Sequence, residues 1–332
     1  MAWLVPCCSC GCLTGPIGMY HKRLWWLLAL LCLCIALYLG LGTRGNWGFV
    51  LTFRANKLIA LLLVAISVSS ATVLFQTITR NHILTPSVMG FDALYLLLLT
   101  LLVFVIGGQQ FTQLSEITQF ITNTLLLMGA ALALFGALLR RGGHDLFRVI
   151  LTGIIFAGLF RALTSFLQRV IDPNEFMVVQ ANAFARFGRV ETGLLTLAAI
   201  LTGAALIATW HMRHRLDVLS LGDENAINLG ENPRRGLFQV LALVSILVSV
   251  STALVGPMAF LGLLVVSVAR QITPVMSHSI LLPAAGLVSG ITLVGGQLVL
   301  ERALHATTPL VVIVDVLGGL IFLILLLRRK PR

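Results

Sequence analysis

Charge is the scarcest thing in this sequence. Asp, Glu, Lys and Arg together make up 11% of 332 residues, whereas a soluble domain carries about 25%. A chain so poor in charge cannot cover a globule in water. Acids are rarest, at 12 against 23 basic residues. Cysteine stops early: all six, Cys7, Cys8, Cys10, Cys12, Cys32 and Cys34, precede residue 35. Their CCSCGC cluster lacks the separated pairs that hold zinc, so no metal site is expected. Catalytic and nucleotide signatures are missing too. There is no G-x-x-x-x-G-K-[ST] loop, no nucleophile elbow and no H-E-x-x-H. The chain binds no cofactor by this reading, and any ATP used in its work belongs to another chain.

What is present is apolar. Hydrophobic residues reach 58% and the mean hydropathy is +1.00. A spanning helix needs roughly 20 apolar residues. The runs predict ten spans, near 24–42, 58–78, 91–107, 119–139, 147–167, 190–210, 237–255, 258–272, 280–299 and 311–327. The fold class is therefore all-α and polytopic, with one membrane domain over 19–332. Residues 1–18 read as a leader that is disordered or untranslated, with Met19 as an alternative start before YHKRLWW. Lys22/Arg23, Arg80, Arg140/Arg141, Arg213/Arg215, Arg234/Arg235, Arg270 and Arg328/Arg329/Lys330 share one side if the N-terminus is inside. By the positive-inside rule both termini are then cytoplasmic. The same placement explains the net charge of +11 without nucleic acid. Arg54, Lys57, Arg169, Arg186, Arg189 and Arg302 fall outside, against the rule.

Two polar segments interrupt the pattern. Residues 169–190 are too polar to span and predict a short outer helix starting at Asp172-Pro173. Residues 211–235, HMRHRLDVLSLGDENAINLGENPRR, carry Asp217, Asp223, Glu224 and Glu231, four of the 12 acids. Their Leu and Ala spacing predicts short amphipathic helices, with Gly222 and Gly230 at the ends and Asp223/Glu224 opening the second. His211 and His214, three apart without a carboxylate on their face, read as interfacial residues. Gly286-x-x-x-Gly290 and Gly153 with Ala157 read as helix-packing sites. Asp92 reads as a helix-start residue. Asp315, inside PLVVIVDVLGGLIF, costs roughly 2.5–3.5 kcal/mol to insert. It is either a proton or cation relay, or a side chain that is protonated or hydrogen-bonded to a neighbouring helix.

Phe53 to Tyr95 reads FRANKLIALLLVAISVSSATVLFQTITRNHILTPSVMGFDALY. It resembles the FecCD-type permeases of bacterial ABC importers, in R-x-x-R, an apolar span, then Q-x-x-x-R-N-x-x-x-x-P-x-x-x-G. Arg54, Gln76, Arg80, Asn81, Pro86 and Gly90 match, and Lys57 replaces the second Arg. LDVLSLGDENAINLG is similar to the family's coupling segment at Leu216, Leu219, Leu221, Gly222, Ala226, Leu229 and Gly230. A third match is Gly256-Pro257-x-x-Phe260-x-Gly262-Leu263, followed by Arg270 and His278. The departures are local: GQLVLER at 296–302 where many members have A-D-x-x-x-R, and Gly318-Gly319 where G-x-P is common.

The resemblance implies a BtuC-like ABC-importer permease fold. It implies four partners besides the bilayer: a cytoplasmic ATPase dimer holding the ATP, a second permease that is a copy or paralogue, a periplasmic binding protein, and a ferric siderophore as cargo. Residues 216–230, with Asp223 and Glu224, would contact the ATPase. Arg54, Lys57 and Arg302 would dock the binding protein. Gln76, Arg80, Asn81, Pro86, Gly90, Gly256 and Pro257 are candidates for the gate. The alternatives are a vitamin B12 or haem importer, and a proton-coupled secondary transporter using Asp315.

Overall fold

The computed structural model describes residues 16–40, 47–142, 146–183, 192–274, 277–302 and 310–328. Cys7 to Cys12, Arg186, Arg189 and all but the last three residues of the 1–18 leader lie outside the described residues. The helices run in the order α1 Pro16–Gly40, α2 Trp47–Thr79, α3 Phe91–Ile106, α4 Gly108–Gln113, α5 Glu116–Gly142, α6 Leu146–Val170 and α7 Pro173–Ala183. They continue as α8 Thr192–His211, α9 Arg213–Ser220, α10 Asp223–Asn228, α11 Pro233–Val255, α12 Leu261–Ile272, α13 His278–Arg302 and α14 Leu310–Arg328. Among the described residues seven helices are long and apolar enough to cross a membrane, and α3, α12 and part of α14 are shorter apolar helices. Each of the ten expected spans coincides with one of these.

The differences lie at ends and breaks. α1 and α2 begin before their expected starts and run straight through Lys22/Arg23 and Arg54/Lys57. Lys and Arg are good helix formers whose apolar stems can lie along a membrane helix. α12 is 12 residues, about 18 Å at 1.5 Å per residue, too short for a core of about 30 Å. The expected span began at 258. Gly256, at φ +101°, and Pro257 break the chain there, and helix resumes at Leu261. Non-helical backbone at this depth is tolerated because protein surrounds it: Gly256 and Met258 are buried.

α2 is the axis of the bundle. It packs on α11, α13, α12 and α8 and reaches α9 at its end. Its residues from Leu58 to Val73 join a core shared with α12, α13 and α14. Ala71 to Ile78 join a second core with α3, α5 and α11. Small residues set the spacing. A side chain on Gly153 would meet Met89, and one on Gly90 would meet Ala157, so α6 presses directly on the Pro86–Met89 3-10 turn. Gly290 lies tightly against Leu31 and Leu62, whereas a side chain on Gly286 would meet Ile66 of α2 only at ordinary contact distance. Close packing is therefore at Gly290, and Gly286 packs more loosely on α2. The expected outer helix is α7, opened by Asp172 accepting from the Asn174 N–H at 2.8 Å.

Candidate functional site

The polar segment folds as the two short helices its pattern predicts. α10 closes in a Schellman turn: the Gly230 N–H donates to the Ile227 carbonyl and the Glu231 N–H to the Ala226 carbonyl, both at 2.9 Å. That turn needs a left-handed residue, and Gly230 supplies φ +83° without a Cβ penalty. α11 starts immediately with Asn232 as N-cap, its side chain accepting from the Arg235 N–H, and Pro233 in the first turn. Arg215 grips Glu231 with two parallel bonds, Nε–Oε1 2.8 Å and Nη2–Oε2 2.9 Å. This fork holds the Glu231 carboxyl below its ordinary value and raises the guanidinium's. The fork ties α9 to the residue that follows α10.

Its apolar residues divide into two sets. Leu216, Leu219 and Ala226 are buried in the bundle, and Leu219 sits where a side chain on Gly236 would be. Leu221, Ile227 and Leu229 are exposed, at 54%, 61% and 61%. The first set fastens the element, and the second offers an apolar surface on a segment otherwise solvated. Ile227 was not singled out by the motif match, although DENAINLG places it beside Ala226. Glu224 is exposed at the start of α10 beside Asp223.

Two linkages tie this hairpin to the long helices. Arg80, at the end of α2 with φ +49°, reaches Asp223 with Nη2–Oδ1 at 2.5 Å and covers Gly222. Asp217 of α9 reaches the start of α13: its Oδ1 accepts the His278 N–H at 2.8 Å and lies 2.6 Å from ring Nδ1. The other ring nitrogen lies 2.7 Å from the Thr77 hydroxyl on α2, and Thr77 also donates to Val73. A hydroxyl has one proton. If it goes to Val73, His278 must donate at both nitrogens; if it goes to Nε2, the Val73 bond is given up. One histidine, 2% exposed, therefore joins α2, α9 and α13. Asp217 and Thr77 carry no motif signal, because their role depends on distant partners meeting.

The gate candidates lie close to this junction. Gln76 donates to the His82 carbonyl at 2.8 Å, and Asn81 accepts from the Ile83 N–H at 3.0 Å. They fold the turn after α2, and Arg80 leaves that turn for the hairpin. Pro86 and Gly90 bound the 3-10 turn, with Gly90 at φ +99°. This turn meets the Gly256-Pro257 break across a cavity of about 20 Å³ lined by Thr72, Thr85, Ser87, Asp92, Ser251 and Thr252. Asp92 occupies the first turn of α3 as expected. Asp315 Oδ1 accepts the Phe260 N–H at 3.0 Å, so it caps the buried start of α12. This is the hydrogen-bonded reading of Asp315.

At the opposite end of α2, Arg54, Lys57 and Arg302 come together. Lys57 pairs with Glu301 at 2.6 Å, a neutralising partner that the motif did not reveal. The Arg54 guanidinium lies 3.4 Å from the carbonyls of Tyr38 and Leu39. Among the described residues no group of three metal-ligating side chains exists. His211 binds its own helix, 3.0 Å from the Ile207 carbonyl.

The described residues thus form an all-helical membrane bundle with a broken helix at Gly256-Pro257 and a polar hairpin hooked to the turn after α2 and to the start of α13. The chain belongs to the FecCD transport family, whose model matches residues 18–328. It is 42% identical over 303 residues to the petrobactin import system permease protein YclO of Bacillus subtilis (strain 168), covering 91% of this chain and 95% of that one. It is 29% identical to the petrobactin import system permease protein FatC of Bacillus anthracis, covering 83% and 78%. A solved inward-facing ABC transporter of the metal-chelate type shares the fold, with a TM-score of 0.81 at 24% identity, covering 93% of this chain and 99% of that one.

Proposed function

We propose that this chain is the membrane-spanning subunit of an ABC importer for a ferric siderophore, set in a bacterial inner membrane with both termini cytoplasmic. The observation that carries this is the hairpin: three exposed apolar side chains, Leu221, Ile227 and Leu229, on a clamped segment that reaches both α2 and α13. Such a surface suits a cleft in a cytoplasmic ATPase, which holds the ATP. The similarity to two petrobactin permeases supports the cargo class. The iron stays within its chelate, so no metal ligands are required of the chain. A second permease, copy or paralogue, completes the path. Arg54 and Arg302, with Lys57 neutralised by Glu301, form the face on which acidic residues of a periplasmic binding protein dock.

In the cycle, ATP-driven movement of the ATPase pulls the hairpin as a unit. Asp223 transmits it through Arg80 to the turn after α2, and Asp217 through His278 to α13. Deleting residues 216–230 abolishes co-purification of the ATPase while membrane insertion persists. An ATPase that still co-purifies with the deletion overturns the assignment.

A further inference from the structure

A second surface lies apart from these linkages. Between α1 and α8, which make no substantial contact with each other, runs a groove of about 740 Å³. Its floor is Leu62, Ile66 and Ser70, spaced by four along α2, and Gly286 with Pro283 on α13. Leu28 and Leu206 stand on the two walls. Gly286 deepens it, since nothing but Ile66 lies near where a side chain would go. From Leu62 to Ser70 the floor is about 12 Å tall at 1.5 Å per residue, close to one leaflet of a core of about 30 Å. No acid lines it.

Its lower end is basic and aromatic. Trp210 and His211 close the groove, and the Arg213 guanidinium lies 4.6 Å from the Trp210 ring. That stacking holds the cation at the depth where Trp marks the membrane interface. His214 is within 3.3 Å of Arg213. Lys22 is exposed and stands six residues, about 9 Å of helix, below Leu28. An apolar slot one leaflet tall with a cationic rim at its lower end matches an acyl chain above a negative headgroup.

We infer that this groove binds an anionic phospholipid of the leaflet on the α9–α10 side, its acyl chain along α2 and its phosphate at Arg213. Occupancy by such a lipid fastens the start of α9 to the membrane.

The test is native mass spectrometry of the full importer released from nanodiscs holding equal phosphatidylglycerol and phosphatidylcholine. Retained lipid on the wild type is enriched in phosphatidylglycerol about fivefold, the factor given by ~1 kcal/mol for one basic side chain. Arg213→Gln removes the enrichment, and Arg213→Lys keeps it. Gly286→Leu lowers the retained lipid of both headgroups. Thermal unfolding of each variant without added lipid separates misfolding from lost binding. Equal retention of the two lipids by the wild type, or enrichment unchanged in a folded Arg213→Gln, overturns the proposal.

Discussion

Replacing Asp217 with Ala separates holding the ATPase from being driven by it. The carboxylate accepts two bonds from His278, at 2.8 and 2.6 Å. A buried donor left without a partner costs about 1–3 kcal/mol. The His278 side chain is 3% exposed but that of Asp217 is 31% exposed, so water reaches the vacated space and the low end applies to each bond. The expected loss is about 2 kcal/mol, or roughly a thirtyfold weakening of the α9–α13 linkage. Leu221, Ile227 and Leu229 are untouched, so the ATPase still binds. In proteoliposomes carrying the complete importer, ferric-siderophore uptake per ATP hydrolysed falls about tenfold or more while ATPase co-purification stays at the wild-type level. Asp217→Asn keeps one acceptor oxygen and gives an intermediate ratio. A wild-type ratio in Asp217→Ala refutes the linkage. Loss of ATPase co-purification refutes it equally, since the carboxylate would then serve the contact itself.

Arg80→Ala breaks a half-exposed pair worth about 0–1 kcal/mol to stability, so melting barely moves while uptake per ATP drops. Asp315→Asn retains an oxygen for the Phe260 N–H, so uptake remains ATP-dependent and indifferent to a collapsed proton gradient; Asp315→Leu destabilises by about 1–3 kcal/mol in thermal unfolding. A side chain on Gly262 would overlap the Thr72 hydroxyl, so Gly262→Ala costs about 1–3 kcal/mol, and pairing it with Thr72→Ala recovers most of the loss. Glu231 sits below its ordinary value of 4.5 because Arg215 bonds it first and foremost. Its contribution is therefore complete above about pH 4.5 and is lost as pH falls through the depressed folded value; ATPase co-purification measured down an acid series weakens there, and Glu231→Gln flattens that dependence.

Much of this molecule is legible along the chain, for a physical reason. A lipid-facing helix must be apolar over its length, and its backbone bonds close within it, so each of the ten runs reports its own helix. The helix ends are equally local: Gly222, Gly230, Asn232 and Pro233 act on their immediate neighbours. What the sequence leaves open is pairing across distance. Nothing in the neighbourhood of Asp217, Thr77 and His278 says that one imidazole bridges all three, or that Glu301 neutralises Lys57. Nor does LDVLSLGDENAINLG say that Leu216 and Ala226 are buried while Ile227 and Leu229 are bare. A side chain's burial is set by the helix packed over it, and that is a tertiary fact. Composition and periodicity by themselves determined a polytopic bundle with one amphipathic hairpin, because those depend on solvent and local geometry. Only the tertiary structure decided which carboxylates cap, pair or link, because each depends on partners brought close by the packing of separate helices.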